Sequence, residues 1–284
     1  MQVLLLHPGA MGASIGAALV SRGHVVSWVA EGRSAVTANR ASEAGLRAVD
    51  TLAAAVADAE VAISVCPPDA AVTLARNVQA AGFEGTYVDG NAVAPATARQ
   101  VASIFPASYV DGGIIGPPAW REGATRFYLS GRNAPDVAAL FDGSLVDARA
   151  MDERIDAASA LKMCYAAFTK GSSALLLAVR ALAEQNGVTE YLLQEWNISQ
   201  TGLAARSAAT ATSTSPKAWR FEGEMREIAA TFAAADLPDG FHQAAAEIYA
   251  RMAGLKDAER PDIGAALSAI VQSDSRQKPT RRRP

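Results

Sequence analysis

Residues 3–16, VLLLHPGAMGASIG, constrain the fold more than any other stretch. An apolar run suited to one buried strand leads into glycines at positions 9 and 12, then into an Ala-rich helical pattern ending near Arg22. Strand, glycine turn, helix is the context of a dinucleotide site. Glycines let the backbone approach a pyrophosphate, and the helix offers free N–H groups and the positive end of its dipole. The full G-x-G-x-x-G pattern would set glycines at 7, 9 and 12, and His7 stands at the first. Gly9, Ala10, Met11 and Gly12 are therefore candidate cofactor-binding residues. A tight strand-to-helix turn without ligand is the plain alternative.

Downstream, strand signals at 25–29, 46–49, 61–65, 86–88, 109–115, 126–129 and 145–149 alternate with helical ones at 34–44, 70–81 and 96–104. That alternation predicts an α/β, Rossmann-type doubly wound sheet, mostly parallel, with ligands at the carboxyl ends of its strands. After Asp152 the strand signals stop. Leu161, Tyr165, Phe168, Ser172, Leu175, Val179 and Leu182 recur at three- and four-residue intervals, one face of a long helix over 155–185. Helices at 190–211, 218–235, 240–253 and 262–272 follow, with the Ser/Thr/Ala-rich 207–215 a candidate mobile connection. The expected organisation is a nucleotide-binding domain at 1–152, an all-helical domain at 153–272 and a disordered tail at 273–284.

A net charge of −3 on 284 residues leaves no electrostatic footprint for nucleic acid, and Arg281, Arg282 and Arg283 read as a solvated end. Two distant cysteines, Cys66 and Cys164, fit a reduced compartment better than a disulfide scaffold. The short apolar opening, with no basic stretch before it, is neither a signal peptide nor a membrane span. The expectation is a cytoplasmic protein with a small-molecule substrate, and neither nucleic acid nor membrane as partner.

The adenosine end of a dinucleotide would be decided by residues 28–34, WVAEGRS. Glu31 suits the ribose hydroxyls of NAD, whereas Arg33 and Ser34 suit the 2′-phosphate of NADP; NADP(H) is favoured over NAD(H). Solvated turn charges are the plain alternative. The fourth strand ends in Cys66-Pro67-Pro68, whose prolines cap it and wall a cleft, with Cys66 a small buried residue rather than a nucleophile. At the next strand end Asn91 offers an amide to cofactor or substrate, or caps the following helix. Gly112 and Gly113 would expose backbone N–H groups to an anionic substrate.

Lys162 begins a helical stripe continued by the small or polar Ala166, Thr169 and Ser173, so its amine can pack against a ligand and move a proton during hydride transfer. An exposed helix lysine is the commoner case, and Lys170 is read as one. Trp219 and His242 would line the far side of a substrate pocket, although core or interface roles are common for such residues. His24 reads as structural. No cluster has metal-ligand spacing, so no metal is expected.

Gly9-Ala10-Met11-Gly12, Gly32-Arg33-Ser34, Cys66-Pro67-Pro68, Gly112-Gly113 and Lys162-Met163 together resemble the β-hydroxyacid dehydrogenases, a group that includes 6-phosphogluconate and 3-hydroxyisobutyrate dehydrogenases. The likeness runs to about residue 271. It is nearest, over 159–188 and around Trp219, to 6-phosphogluconate dehydrogenase-like, NAD(P)-binding proteins of undefined substrate. The resemblance implies a 6-phosphogluconate dehydrogenase C-terminal-like helical domain. It also implies pyrophosphate at Gly9 and Gly12, NADP at Arg33 and Ser34, nicotinamide ribose at Pro67 and Pro68, and substrate at Gly112 and Gly113. Lys162 would be the acid/base, and the stripe over 161–182 would permit a homodimer. The chain departs from the pattern at His7 and one turn after Lys162, where Tyr165 and Ala166 replace an Asn; Tyr165 would take part of that substrate contact. The implied activity is an NAD(P)-dependent oxidoreductase moving hydride between the nicotinamide and the CH–OH group of a small hydroxy acid or sugar acid. An imine reductase of the same architecture and a non-catalytic NADP(H)-binding sensor are the alternatives.

Overall fold

The computed structural model describes residues 1–256, 258 and 261–271. The tail expected at 273–284, with Arg281, Arg282 and Arg283, lies outside the described residues. By contacts the chain divides into two compact units, the first ending at Tyr165 and the second beginning at Ala166.

The first unit runs β1 (Gln2–Leu5), α1 (Ala10–Val20), β2 (Val25–Val29), α2 (Ala35–Glu43), β3 (Arg47–Val49), α3 (Leu52–Ala57), β4 (Val61–Ser64), α4 (Ala71–Ala80) and β5 (Thr86–Asp89). It continues through α5 (Pro95–Ala102), β6 (Tyr109–Ile115), β7 (Thr125–Ser130), α6 (Ala134–Ala139) and β8 (Val146–Ala150). The strands form one sheet in the order β3-β2-β1-β4-β5-β6-β7-β8. Every neighbouring pair is parallel except β6 with β7. This is the Rossmann-type doubly wound sheet, with its order reversing between β1 and β4, where such folds place their ligand crevice. Val3–Leu5 of β1 and Val61–Ile63 of β4 are apolar throughout because both faces of these central strands are covered. Ile15, Leu19, Trp28 and Phe127 pack in one core; Leu4, Val78, Tyr87 and Phe105 pack in the other. Helices α3 and α6, six residues each, are too short to show a period in the sequence and were not anticipated.

Helix α7 (Ala157–Gln185) begins in the first unit and continues into the second, which adds α8 (Thr189–Ser199), α9 (Leu203–Thr214), α10 (Ala218–Ala234), α11 (Gly240–Arg251) and α12 (Ile263–Val271). Residues 190–211, expected as one helix, form two, because Gly202 at φ +81° turns the chain between α8 and α9. The expected mobile connection at 207–215 is instead mostly helix: the Ser207 and Ser215 hydroxyls fold back onto the Ala204 and Ala211 carbonyls and both residues are buried. On α7 the stripe read from sequence is largely the exposed side, with Tyr165, Phe168, Leu175 and Leu182 open, while Met163, Ala166, Ala174, Leu177 and Ala181 are buried. By length and composition alone α7 is apolar enough to cross a bilayer, and 44% of its most apolar 18-residue stretch is buried inside the protein.

Candidate functional site

The turn after β1 is shaped by what its glycines omit. Gly9 is the N-cap of α1 with an ordinary φ of −67°, no side chain caps the helix, and a Cβ at Gly9 would meet nothing within 4 Å. No side-chain cap meets the orphan N–H groups of the first turn of α1, whereas α2 and α3 are closed by the Ser34 and Thr51 side chains. Gly12 is the opposite case: a Cβ there would stand 2.0 Å from the His7 carbonyl oxygen. Ala10 and Met11 lie in the first turn of α1. An unfilled space over an uncapped helix start fits a pyrophosphate. His7 holds the first glycine's place without a positive φ. Burial, with the Arg33 charge as a second cause, holds its pKa down at about 4, and its Nδ1 is buried without a partner.

The loop after β2 carries Glu31, Gly32, Arg33 and Ser34, all exposed. Ser34 Oγ accepts from the Thr37 backbone N–H (3.3 Å), so the residue expected at a phosphate also starts α2. A second cation joins this corner: Arg40 Nη1 reaches the Pro8 carbonyl at 3.5 Å. Sequence reasoning passed over Arg40, whose helical position carries no distinguishing signal.

Beyond β4 and β5 the structure corrects one expectation. Asn91 does not present a free amide. Its Oδ1 accepts from the Cys66 backbone N–H (2.6 Å), its Nδ2 donates to Ser64 Oγ (3.0 Å), and it is buried, so it braces two strand ends. Nor does it cap α5, whose N-cap is Ala94. Burial pushes the Cys66 thiol up to about 12, which rules out a ready thiolate nucleophile. Pro67 and Pro68 follow, opening a short 3₁₀ turn at that strand end.

Gly112 and Gly113 are a second correction. They lie in the middle of β6, buried and paired with Leu129 and Tyr128 of β7. A Cβ at Gly112 would press to 2.6 Å from the Phe127 ring, and one at Gly113 to 2.6 Å from the Ala158 carbonyl oxygen and 3.2 Å from Lys162 Cβ. Their absent side chains let β7 and the start of α7 come close. The glycine that does end this strand is Gly116, at φ +124°.

Lys162 profits from that approach. Half-buried, it donates from Nζ to the Ile114 carbonyl at 2.6 Å, near the carboxyl end of β6, so it is not the exposed helix lysine of the plain alternative. The helix is fastened one turn earlier by a residue the sequence reading missed. Buried Asp111 accepts from the Ser159 N–H (2.7 Å) and hydroxyl (2.6 Å), and from Ser130 Oγ at 3.4 Å. An acid inside an apolar strand was the available signal, since such a group needs built-in partners. Burial raises its pKa to about 6, against the lowering effect of the Ser159 bonds. An acid raised from 3.8 in this way stabilises the fold below its unfolded pKa and loses that contribution as pH climbs through about 6. Urea unfolding is expected to show a contribution of about 3 kcal/mol from this group fading between pH 4 and 7. The same titration on Asp111→Asn should show a lower stability and a flatter profile.

In the second unit, Trp219 on α10 is part-exposed beneath the Lys256 ammonium (4.5 Å), while Tyr165 ends the first unit on the open side of α7. His242 is a third correction. It is buried, with ring centroids of Phe232 and Phe241 at 4.2 and 5.2 Å, so its ring packs between two aromatic side chains of the helical unit instead of standing open to a pocket. Lys170, read as a solvated lysine, is mostly buried and pairs with Glu224 at 2.7 Å. His24 is structural as expected, its Nε2 lying 3.1 Å from the Leu140 carbonyl. No cluster suited to a metal occurs among the described residues.

No curated protein sequence matches the chain. A family profile described as Domain of unknown function (DUF1932) matches residues 183–252. Conserved protein MTH1747, of unknown function and structurally similar to 3-hydroxyacid dehydrogenases, is 27% identical with a TM-score of 0.64, over 89% of this chain and 96% of that one. Mycobacterium tuberculosis 3-hydroxyisobutyrate dehydrogenase, solved with L-serine, is 19% identical with a TM-score of 0.70, over 95% and 99%. An Aspergillus terreus reductive aminase, solved with NADPH4, cyclohexanone and allyl amine, is 19% identical with a TM-score of 0.56, over 94% and 98%. With a parallel-dominated sheet, a glycine turn after its first strand and an all-helical second unit, the chain has the fold of these 3-hydroxyacid dehydrogenase-like structures.

Proposed function

We propose that the chain is a nicotinamide-dinucleotide-dependent oxidoreductase acting on a small hydroxy acid or sugar acid, with Lys162 as general acid/base. The observation that carries this reading is the bond from Lys162 Nζ to the Ile114 carbonyl, which holds an amine at the edge where β1 opens into the bare glycine turn. Strands β1, β4, β5 and β6 are parallel, so their carboxyl ends share that edge. Residues 9–12 would hold the pyrophosphate, Glu31, Arg33 and Ser34 the adenosine ribose, and the Cys66–Pro68 turn the nicotinamide ribose. Asn91 shapes that wall from behind. Bound nicotinamide supplies or accepts the hydride; the protein's own part is the proton, exchanged with the substrate hydroxyl at Lys162 Nζ.

The cofactor we propose is NADP(H), on the cationic corner formed by Arg33 and Arg40, beside a His7 kept neutral by burial. Fluorescence titration of Arg33→Ala is expected to show NADPH binding weakened about 10- to 100-fold, with NADH within about threefold. Equal losses for both cofactors would remove the assignment. Reduction of a C=N bond is the second reading, favoured by the likeness to the reductive aminase. Turnover with hydroxy acids, keto acids and imines separates the two, and NADPH binding with no turnover of any would leave a sensor. A homodimer through exposed Phe168, Leu175 and Leu182, and a cytoplasmic setting, accompany the proposal.

A further inference from the structure

The second unit contains a buried cation that the proposed reaction does not use. Arg180, on α7, is 6% exposed. Its Nη1 donates to the Ser207 hydroxyl on α9 at 2.5 Å, and its Nε is buried with no acceptor. Among the described residues no carboxylate pairs with it; Glu184, exposed and one turn along, is the acid whose charge reaches it. A guanidinium stays charged when buried and is costly without an anion against it. The unused Nε side of the fork is the edge that grips a carboxylate through parallel hydrogen bonds.

Beside this arginine lies a cavity of about 350 Å³, walled by Ile263, Leu267 and Val271 of α12, with Ser268 and Glu184 as its polar edge. Its size is at the low end for small-ligand sites, which pair apolar walls with a few placed polar groups. We propose that this cavity binds a small carboxylate with a short branched aliphatic body, the carboxylate on Arg180 and the hydrocarbon against Ile263, Leu267 and Val271. Two sources share that chemistry: a plain short-chain acid, and an apolar amino acid whose ammonium would sit by Glu184. The site is built entirely within the second unit, so it is independent of the redox reading.

Isothermal titration of the full chain with 4-methylpentanoate, L-leucine and 4-methylpentan-1-ol, without dinucleotide, tests it. The acid or the amino acid is expected to bind and the alcohol at least about tenfold more weakly, because the alcohol lacks the charge that Arg180 faces. Whichever of the two binds tighter names the source. Arg180→Met is expected to abolish the preference for the carboxylate, and Leu267→Trp, which fills the cavity and keeps the arginine, to abolish binding. Thermal melts establish that each variant is folded. No binding to the native chain, equal binding of acid and alcohol, or unchanged binding in folded Leu267→Trp would each overturn the proposal.

Discussion

Gly9→Ala is expected to melt like the native protein and to bind nicotinamide dinucleotides about 10- to 100-fold more weakly. Nothing in the fold asks for glycine there: its φ of −67° suits any residue, and the added methyl meets no atom within 4 Å. Exchanging glycine for alanine at an N-cap costs no more than about 1 kcal/mol. The methyl would, however, stand in the space above the first N–H groups of α1, where an anion makes charge-assisted bonds worth about 1.5–3 kcal/mol each. Gly12→Ala should behave differently, losing stability and binding together, because its methyl would sit 2.0 Å from the His7 carbonyl oxygen. Calorimetric melting combined with dinucleotide titration checks both. If Gly9→Ala binds as the native chain does, the turn is only a turn and the oxidoreductase reading loses its cofactor.

Lys162→Met should retain dinucleotide binding and lose about 100- to 10,000-fold in kcat, the range a positioned acid/base contributes. Methionine preserves the aliphatic stem that rests against Gly113 and removes only the amine. A side effect on stability of about 1–3 kcal/mol is expected, since the Ile114 carbonyl loses its donor. That loss is separable from chemistry by comparing kcat with the binding constant at a temperature where both proteins are folded. A kcat within about threefold of the native value would remove Lys162 from the proton path.

How much of this was legible beforehand depends on how local the signal was. The β1–α1 unit could be read because strand, turn and helix lie consecutively and each glycine has a local task. Strand β6 is legible at 109–115 from its apolar residues, but Gly112 and Gly113 inside it read as exposed N–H groups for a substrate. Glycine marks turns more often than it marks close packing, and the groups that press on that strand, Phe127 and the start of α7, are distant in sequence. Periodicity likewise identified an apolar stripe on α7 without saying whether the chain itself covers it; Phe168 and Leu182 remain exposed. Asn91 and His242 have the chemistry of ligand-binding residues, yet long-range neighbours, Ser64 and Cys66 for one and two aromatic rings for the other, already occupy or enclose them.

The Asp111–Ser159 latch has a consequence for substitutions further along the chain. Because Ser159 ties the start of α7 to Asp111 of β6, Lys162 and the glycine turn after β1 lie in one compact unit that ends at Tyr165. If Lys162 moves the proton as proposed, substitutions confined to the helices beyond Ala166 leave that group and its bond to Ile114 in place.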